Sequence, residues 1–290
     1  MKKIMIVLLI FISQVCLAQT FQETITKELS FETKNSSNAL VVANINGSIK
    51  VMGYAGDKII VVMDKTITAK TEARIEKGKK VSLGIIDRSD SLILFVDGLC
   101  QRFDKASDRG HFKAGWGYQW NCENCSDEFD HQTNFTIKVP FDTHVSVATI
   151  NKGNVVIENV KGVVSADNVN GSIRLENLER EAAASTINGD LDVTYATNPK
   201  NPCRFYSLNG DINALFRKGL AANLSFESFN GDFYTNIDRI QKLPAKLEQE
   251  QYKEGMKYKI GGDHYQVGAG GSLLDFETFN GNVYLKENTN

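Results

Sequence analysis

The chain has 290 residues, 33 of them basic and 35 acidic, and a formal net charge of −2. No basic block is present that would neutralise phosphates, so the charge pattern argues against a nucleic-acid-binding protein. With 42% hydrophobic residues, 23 glycines and four prolines, the composition excludes a disordered or collagen-like chain.

The N-terminal segment, 1–18, has the pattern of a secretory signal peptide. Lys2 and Lys3 precede an apolar run at 4–12, and the segment ends Cys16-Leu17-Ala18, with small residues where a signal peptidase reads. Cleavage after Ala18 leaves the mature chain 19–290 and changes the formal net charge from −2 to −4, because it removes two lysines. No later apolar run approaches the about 18 residues that a membrane-spanning helix needs. We therefore expect export to the periplasm, the outer-membrane surface or the medium.

The alternative location is a lipoprotein anchored through Cys16. The residue before this cysteine is Val15, where lipidation signals usually have a small Gly, Ala or Ser. This departure favours cleavage after Ala18.

A short unit recurs along the chain, and each copy is centred on an asparagine followed by glycine. The unit occurs at Asn46, Asn170, Asn188, Asn209, Asn230 and Asn280, and at Asn151 with one inserted residue. From Asn151 to Asn230 the copies recur at a nearly constant spacing. The residues four and six positions before every asparagine are apolar. The positions between are mostly polar or small: Asp167, Ser185, Tyr206, Glu227 and Glu277.

Alternation with a period of two predicts half-buried strands. Each unit is then a strand, an Asn-Gly turn, a second strand and a return turn, and Asn-Gly tolerates the positive φ of a tight reversal. A meander of hairpins would also use Asn-Gly turns. A meander does not require the same side-chain class to return at a constant spacing, whereas stacked coils do. We therefore predict an all-β fold, a β-solenoid or single-stranded β-helix-like stack of 18–21-residue coils.

The rest of the chain is arranged around these units as one domain, 19–290. We expect N-terminal capping strands in 19–135, regular coils in 136–237, an excursion and hairpin in 238–272, and a terminal coil in 273–290. The unit at 40–51 is expected to stack on the same axis as those at 145–285. Within the cap, strands are predicted at 58–67, 79–86, 91–96 and 134–139, with a short helix in 71–80. The polar, aromatic segment 100–132 is predicted to be an inserted loop.

Three stretches resemble a known family. They are Lys138-Val139-Pro140 before the first full coil, the repeated Asn-Gly-Asp/Ser-apolar unit, and the run 257–262 before the last coil. They are similar to the bacterial "putative adhesin" β-strand-repeat family, and more distantly to adhesin-head domains named for a Gly-Ile-Asn motif. The resemblance covers 136–286 well, 20–99 more loosely, and not the insert. It implies a β-helix-like stack and an envelope location, and it carries over no catalytic residue.

Two polar rows follow from the stacking. Neighbouring strands are about 4.8 Å apart. We expect one row of amides bonded to one another, formed by Asn170, Asn188, Asn209 and Asn230. A second row beside it contains Asp190, Asp211 and Asp232 and is expected on a solvated edge. The alternatives for this acidic row are a bridging hard cation such as Ca²⁺ and use as paired carboxylates in a glycosidase.

The cysteines divide into two groups. Cys203 occupies an inward position and is predicted to be a small core residue. Disulfide candidates in the insert are Cys100, Cys122 and Cys125, with the pairing left open between Cys122–Cys125 and a bridge from Cys100. Metal candidates are His111, Cys122, Cys125 and His131, which have the ligand types of zinc in an order unlike a common finger. A Cys-x-x-Cys redox site is a third alternative.

Aromatic residues are dense in the insert. The candidates for a binding surface are Trp116, Tyr118 and Trp120, with Phe112 and Phe129 nearby. Exposed aromatic platforms stack on sugars or on partner surfaces. The alternative is that these rings fold back and cover an open sheet edge, which must be protected from strand addition.

The function expected from these features is non-catalytic. We predict an exported cell-envelope protein, an adhesin-like or structural β-repeat module, that binds a surface carbohydrate or an envelope protein without a cofactor. The alternative is a carbohydrate-active enzyme, a lyase or hydrolase on a β-helix scaffold, with the acidic row as its site.

Overall fold

The computed structural model describes residues 18–105, 118–121, 127–244, 247–252, 255–260 and 263–288. In these ranges the regular secondary structure is β-strand apart from one helix, α1 (Glu72–Gly78), so the all-β prediction is confirmed. Within the same ranges, no helix has the length and apolar character needed to span a membrane. Almost all of the predicted signal peptide lies outside the described residues.

The strands of the N-terminal half are β1 (Gln19–Leu29), β2 (Ala39–Ala43), β3 (Ile49–Tyr54), β4 (Ile59–Ala69), β5 (Ser82–Asp87), β6 (Ser91–Asp97), β7 (Arg102–Lys105), β8 (Tyr118–Asn121), β9 (Asp130–Pro140), β10 (His144–Thr149), β11 (Val155–Glu158), β12 (Val164–Asn170) and β13 (Ile173–Leu178). Those of the C-terminal half are β14 (Ala182–Asn188), β15 (Leu191–Tyr195), β16 (Cys203–Asn209), β17 (Ile212–Phe216), β18 (Ala222–Asn230), β19 (Phe233–Thr235), β20 (Ile240–Lys242), β21 (Leu247–Tyr252), β22 (Gly255–Ile260), β23 (Asp263–Val267), β24 (Ser272–Asn280) and β25 (Val283–Glu287). The strands expected in the cap, and the short helix, are all present.

Two large sheets enclose one apolar core. Sheet A has the order β1-β4-β9-β3-β11-β13-β15-β17-β25-β19. Sheet B has the order β20-β23-β18-β24-β16-β14-β12-β10-β2-β6-β5. Each Asn-Gly unit contributes one strand to each sheet, and buried side chains of both sheets, such as Leu40 of β2 and Ile49 of β3, belong to the same cluster.

The apolar positions read from the sequence pair in register across sheet B. The pairs include Leu40 with Val145, Val42 with Val147, Ala184 with Phe205, and Phe205 with Phe276. The residues four and six positions before the seven corner asparagines number fourteen. Thirteen of them are buried, and the exception is the partly buried Phe226. The unit at 40–51 therefore stacks directly on the unit that begins at Val145, as expected, although β4 to β9 lie between the two units in the chain.

The sheets are mixed rather than uniformly parallel, which corrects the expectation of a plain stack of coils. Antiparallel pairs form at both ends: β1 with β4, β4 with β9 and β5 with β6 at one end, and β23 with β18 and β20 at the other. Apart from β18, these strands do not belong to Asn-Gly units. They cover sheet edges that would otherwise offer unpaired backbone groups.

The order of units in the stack differs from their order in the chain. The last unit, β24 and β25, lies between the β16–β17 unit and the β18–β19 unit. The predicted terminal coil is therefore the penultimate one in space, and residues 238–272 return the chain to reach it. Every unit offers the same strand-pairing pattern, so sequence adjacency alone does not specify which units become neighbours.

Close contact between units, not positive φ, explains the corner glycines. Of the Asn-Gly glycines, only Gly47 has a positive φ, of 131°. A Cβ atom on Gly189 would lie 2.4 Å from the carbonyl oxygen of Gly171, and one on Gly210 would lie 2.1 Å from that of Gly189. The expectation that these turns need glycine for a positive φ is thus wrong for most of them. Glycine is needed instead because the backbone of the neighbouring unit occupies the space that a side chain would fill.

Replacing Gly189 with alanine tests this explanation. The new methyl group would press on backbone atoms, so we expect Gly189→Ala to lower the free energy of unfolding by about 2 to 4 kcal/mol. The matched control is Gly219→Ala, where a Cβ meets nothing within 4 Å but φ is +88°. Conformational strain alone should make that substitution cost about 1 kcal/mol. Equal losses for the two variants in urea denaturation would contradict the proposed contact.

Candidate functional site

The corner asparagines form a continuous row of amide hydrogen bonds, which we call the Asn row. Each side-chain Nδ2 donates to the Oδ1 of its neighbour at 2.8–3.0 Å, in the order Asn230, Asn280, Asn209, Asn188, Asn170 and Asn151. The predicted amide row is present, but Asn280 lies between Asn209 and Asn230, which were expected to be neighbours. Its amides bond to one another, which supports the structural interpretation over ligand binding.

The acidic row differs from its prediction. Asn282 lies between Asp211 and Asp232, because the last unit of the chain is inserted there. The carboxylate of Asp190 accepts the backbone N–H of Asp211 at 3.0 Å, and that of Asp211 accepts the N–H of Asn282 at 2.8 Å. The three carboxylates are therefore not a continuous row. The two on internal units serve as backbone acceptors.

No group of three His, Cys, Asp or Glu side chains is close enough to hold a metal ion in the part of the chain that the structure describes. Of the four zinc candidates, His111, Cys122 and Cys125 lie outside the described residues. His131 of β9 is buried, and its Nε2 is 3.2 Å from the Nδ2 of Asn46. The zinc hypothesis stays untested.

The two described cysteines differ in state. Cys100 is disulfide-bonded, and its backbone N–H donates to Asp127 at 3.0 Å. Because Cys122 and Cys125 are outside the described residues, the pairing stays a prediction. Cys203 is a free, buried thiol 3.3 Å from the hydroxyl oxygen of Tyr195, which agrees with its predicted place in the core. Burial raises the pKa of the Cys203 thiol and disfavours a reactive thiolate.

Trp120 packs on the outer face of sheet B rather than standing free. Its ring centroid is 5.0 Å from that of Phe103 and 6.5 Å from that of Phe95. This contact favours the covering alternative for Trp120. Trp116 and the side chain of Tyr118 lie outside the described residues.

A groove of about 430 Å³ lies on the outer face of sheet B beyond this covered region. We call it the outer groove. Four strands line it. The residues are Ser165 and Asp167 of β12; Ala183, Ala184 and Ser185 of β14; Arg204 and Tyr206 of β16; and Glu277 of β24. It was not predicted as a site, although the outward row Asp167, Ser185, Tyr206 and Glu277 was visible in the sequence.

In-register pairing creates the shape of the outer groove. Asp167 pairs with Ser185, Ser185 with Tyr206, and Tyr206 with Glu277, so the outward side chains of four strands form one line. The serines and alanines of β12 and β14 leave a low floor. The larger Arg204 and Tyr206 side chains on β16 form a wall.

The outer groove contains charges of both signs. The Arg204 guanidinium donates to the Glu277 carboxylate at 2.9 Å and is 3.7 Å from that of Asp275. Among the described residues, no Lys, Arg or His side chain forms an ion pair with Asp167. It is solvent-accessible, yet the surrounding protein partly desolvates its carboxyl group and raises its pKa. The groove therefore offers a hydrogen-bonding carboxyl, a guanidinium, two serine hydroxyls and an aromatic ring.

A second exposed feature is aromatic. The rings of Phe229 and Phe279, beside the Asn row, stack at 4.8 Å with an angle of 3°, and Phe229 is 74% exposed. Tyr234 and Tyr284 stack at 5.1 Å on the neighbouring strands of sheet A. Pairing of β18 with β24 and of β19 with β25 brings these rings together, so the pairs depend on the inserted last unit.

Comparisons with known proteins give distant likenesses. No family profile and no curated protein matches the sequence. A crystal structure described as a "putative cell adhesion protein" from Clostridium sporogenes matches at 11% identity and a TM-score of 0.42, covering 92% of this chain and 100% of that one. A "putative adhesin" from Bacteroides fragilis matches at 12% identity and a TM-score of 0.33, covering 92% and 97%. At these scores the likenesses establish no function for this chain.

The buried His131 makes a pH-dependent contribution to stability. Burial lowers the pKa of its imidazole, opposed by the carboxylates of Asp127 and Asp130 and assisted by the Lys152 ammonium. The unfolded state therefore binds the proton more readily, with a pKa of about 6.5. We expect the free energy of unfolding to fall as the pH drops from 6.5 through the lower folded pKa.

The variant His131→Gln should flatten this part of the profile. Denaturation midpoints measured between pH 7.5 and pH 5 would test it, with His264→Gln, at a half-buried position of β23, as the control. An unchanged pH slope in His131→Gln would assign the effect to other groups.

Proposed function

We propose that this protein is an exported, non-catalytic, adhesin-like module that binds carbohydrate in the outer groove. The observation that carries the proposal is the grouping of Asp167, Ser185, Arg204 and Tyr206 along one open face. Sugars present many hydroxyls and apolar ring faces. Carboxyl, guanidinium and hydroxyl groups recognise the hydroxyls, and an aromatic ring packs on the ring face.

The scaffold proposed for this role is a short, two-sheet β-solenoid. It is supported by parallel, in-register pairs that run through consecutive units, from β2 and β3 to β18 and β19, with antiparallel strands at each end. Such a scaffold repeats outward side chains at the strand spacing of about 4.8 Å. That spacing suits an extended chain of similar sugar units lying across the strands.

The geometry of the acidic row does not support the alternative of a carbohydrate-active enzyme. The carboxylates of Asp190 and Asp211 each accept a backbone N–H from the neighbouring unit. Asn282 separates Asp211 from Asp232, so the row offers no continuous set of three carboxylates. A general acid and base would need carboxyl groups that face a common substrate.

Carbohydrate binding is tested by glycan-array screening, followed by calorimetry with the best ligand. We expect Tyr206→Ala and Arg204→Ala each to raise the Kd about tenfold or more, or about 1.4 kcal/mol. The loss of ring contact and of charge-assisted hydrogen bonds is the physical reason.

The matched controls are Tyr54→Ala, on sheet A, and Arg180→Ala, whose guanidinium pairs with Glu181. Both should bind as the parent does. Unchanged affinity in the two groove variants would refute the site, as would loss of binding in Phe229→Ser alone. Release of reducing ends from any bound polysaccharide would refute the non-catalytic role.

Export is proposed from the N-terminal pattern, and the disulfide at Cys100 supports an oxidising compartment. Mass spectrometry of the protein from its natural envelope fraction is the test. We expect the mature chain to begin at Gln19. A lipid-modified Cys16 at the N-terminus would instead establish the lipoprotein alternative, and an intact Met1 would contradict export.

A further inference from the structure

Three corner sites share the tripeptide Asn-Gly-Asp: Asn188, Asn209 and Asn230. At an Asn-Gly pair, the glycine nitrogen can attack the preceding side-chain amide, because glycine has no Cβ to obstruct the approach. The three sites are chemically matched. Any difference between them in the folded protein must come from their places in the stack.

At the two internal sites, Asn188 and Asn209, both reacting groups form hydrogen bonds to the next unit. These groups are the side-chain amide and the N–H of the following glycine. The Oδ1 of Asn188 accepts from Asn209 at 3.0 Å, and the N–H of Gly189 donates to the carbonyl oxygen of Asn209 at 3.1 Å. The Oδ1 of Asn209 accepts from Asn280 at 2.8 Å, and the N–H of Gly210 donates to the carbonyl of Asn280 at 3.0 Å. Attack at either site requires both hydrogen bonds to the next unit to break.

Asn230 lies at the open end of the Asn row. Its Nδ2 donates to Asn280 at 2.9 Å. Within the described residues, neither its Oδ1 nor the N–H of Gly231 has a hydrogen-bond partner, because no further unit follows. The covering strand β23 pairs with β18 only as far as Phe226, and β19 is the last strand of sheet A. The side chain of Asn230 is exposed.

We infer that Asn230 is a site of spontaneous deamidation, with water as the only co-reactant. The backbone nitrogen of Gly231 forms a bond to Cγ of Asn230, loses its proton, and expels the side-chain nitrogen as ammonia. The resulting cyclic imide is then hydrolysed at one of its two carbonyls, giving aspartate or isoaspartate. One amide nitrogen leaves and one water is consumed in total.

The modification changes the open end of the stack. It replaces the amide that donates to Asn280 with a carboxylate, near Asp232, whose Oδ2 accepts the Tyr234 hydroxyl at 3.3 Å. An isoaspartate also lengthens the backbone by one carbon. This insertion disrupts the pairing of Asn230 with Asn280, next to the exposed ring of Phe229. The site is separate from the outer groove and does not depend on the proposed function.

The test is peptide mapping by mass spectrometry after incubation of the full folded chain at mildly alkaline pH. We expect deamidation at Asn230 to be at least about tenfold faster than at Asn188 and Asn209, the ratio that corresponds to about 1.4 kcal/mol in activation free energy. Fragment spectra distinguish isoaspartate from aspartate. The variant Asn230→Gln should abolish the early deamidation product.

The same measurement in concentrated urea is the control for intrinsic reactivity. There the three Asn-Gly-Asp sites should react at similar rates, because the stack no longer protects two of them. Equal rates at the three sites in the folded protein would overturn the inference, and so would a preference for Asn230 that persists unchanged in urea.

Discussion

The close approach of successive corners is the contact on which the rest of the structure depends. At the Asn-Gly corners from Gly171 onward, the carbonyl oxygen of a glycine in the neighbouring unit occupies the place where a Cβ would lie. That approach puts the asparagine amides within 2.8–3.0 Å of one another. It also lets buried hydroxyls, such as those of Thr186 and Ser207, donate to the glycine carbonyls of neighbouring units at 2.9 and 3.0 Å. A side chain at any such glycine would separate the units and weaken both sets of hydrogen bonds together.

Because every unit presents the same backbone pairing surface, only side-chain contacts between particular units distinguish one order of units from another. The last unit fits between β16–β17 and β18–β19, where Arg204 forms an ion pair with Glu277 and Phe205 packs on Phe276. This insertion separates Asp211 from Asp232 by Asn282, and it builds the stacked pairs Phe229–Phe279 and Tyr234–Tyr284. One topological choice therefore removes a candidate cation site and creates an aromatic surface.

The two faces of sheet B have different roles. Inward side chains fill a continuous apolar core, whereas the outward positions hold charged, hydroxyl, aromatic and aliphatic side chains. Near β2 and β6 this outer face is covered by β7 and β8, with Phe103 against Val41 and Ile93. Farther along, small side chains on β12 and β14 leave the outer groove open beside Tyr206. The same stack thus supports a region covered by β7 and β8 and an open groove with hydrogen-bonding groups.

Local periodicity made the strands, the inward columns and the amide row predictable, because a period of two and a recurring Asn-Gly corner are properties of neighbouring residues. Cys203 was placed in the core for the same reason. Local periodicity could not predict three features. These are the close approach at the corner glycines, the position of the last unit, and the antiparallel strands at the ends of the sheets. They depend on which strands become neighbours across long separations. The outer groove depends on both the local sequence pattern and the tertiary structure. Its residues were visible as a polar outward row, but only the packing of β12, β14, β16 and β24 side by side turns that row into a concave surface.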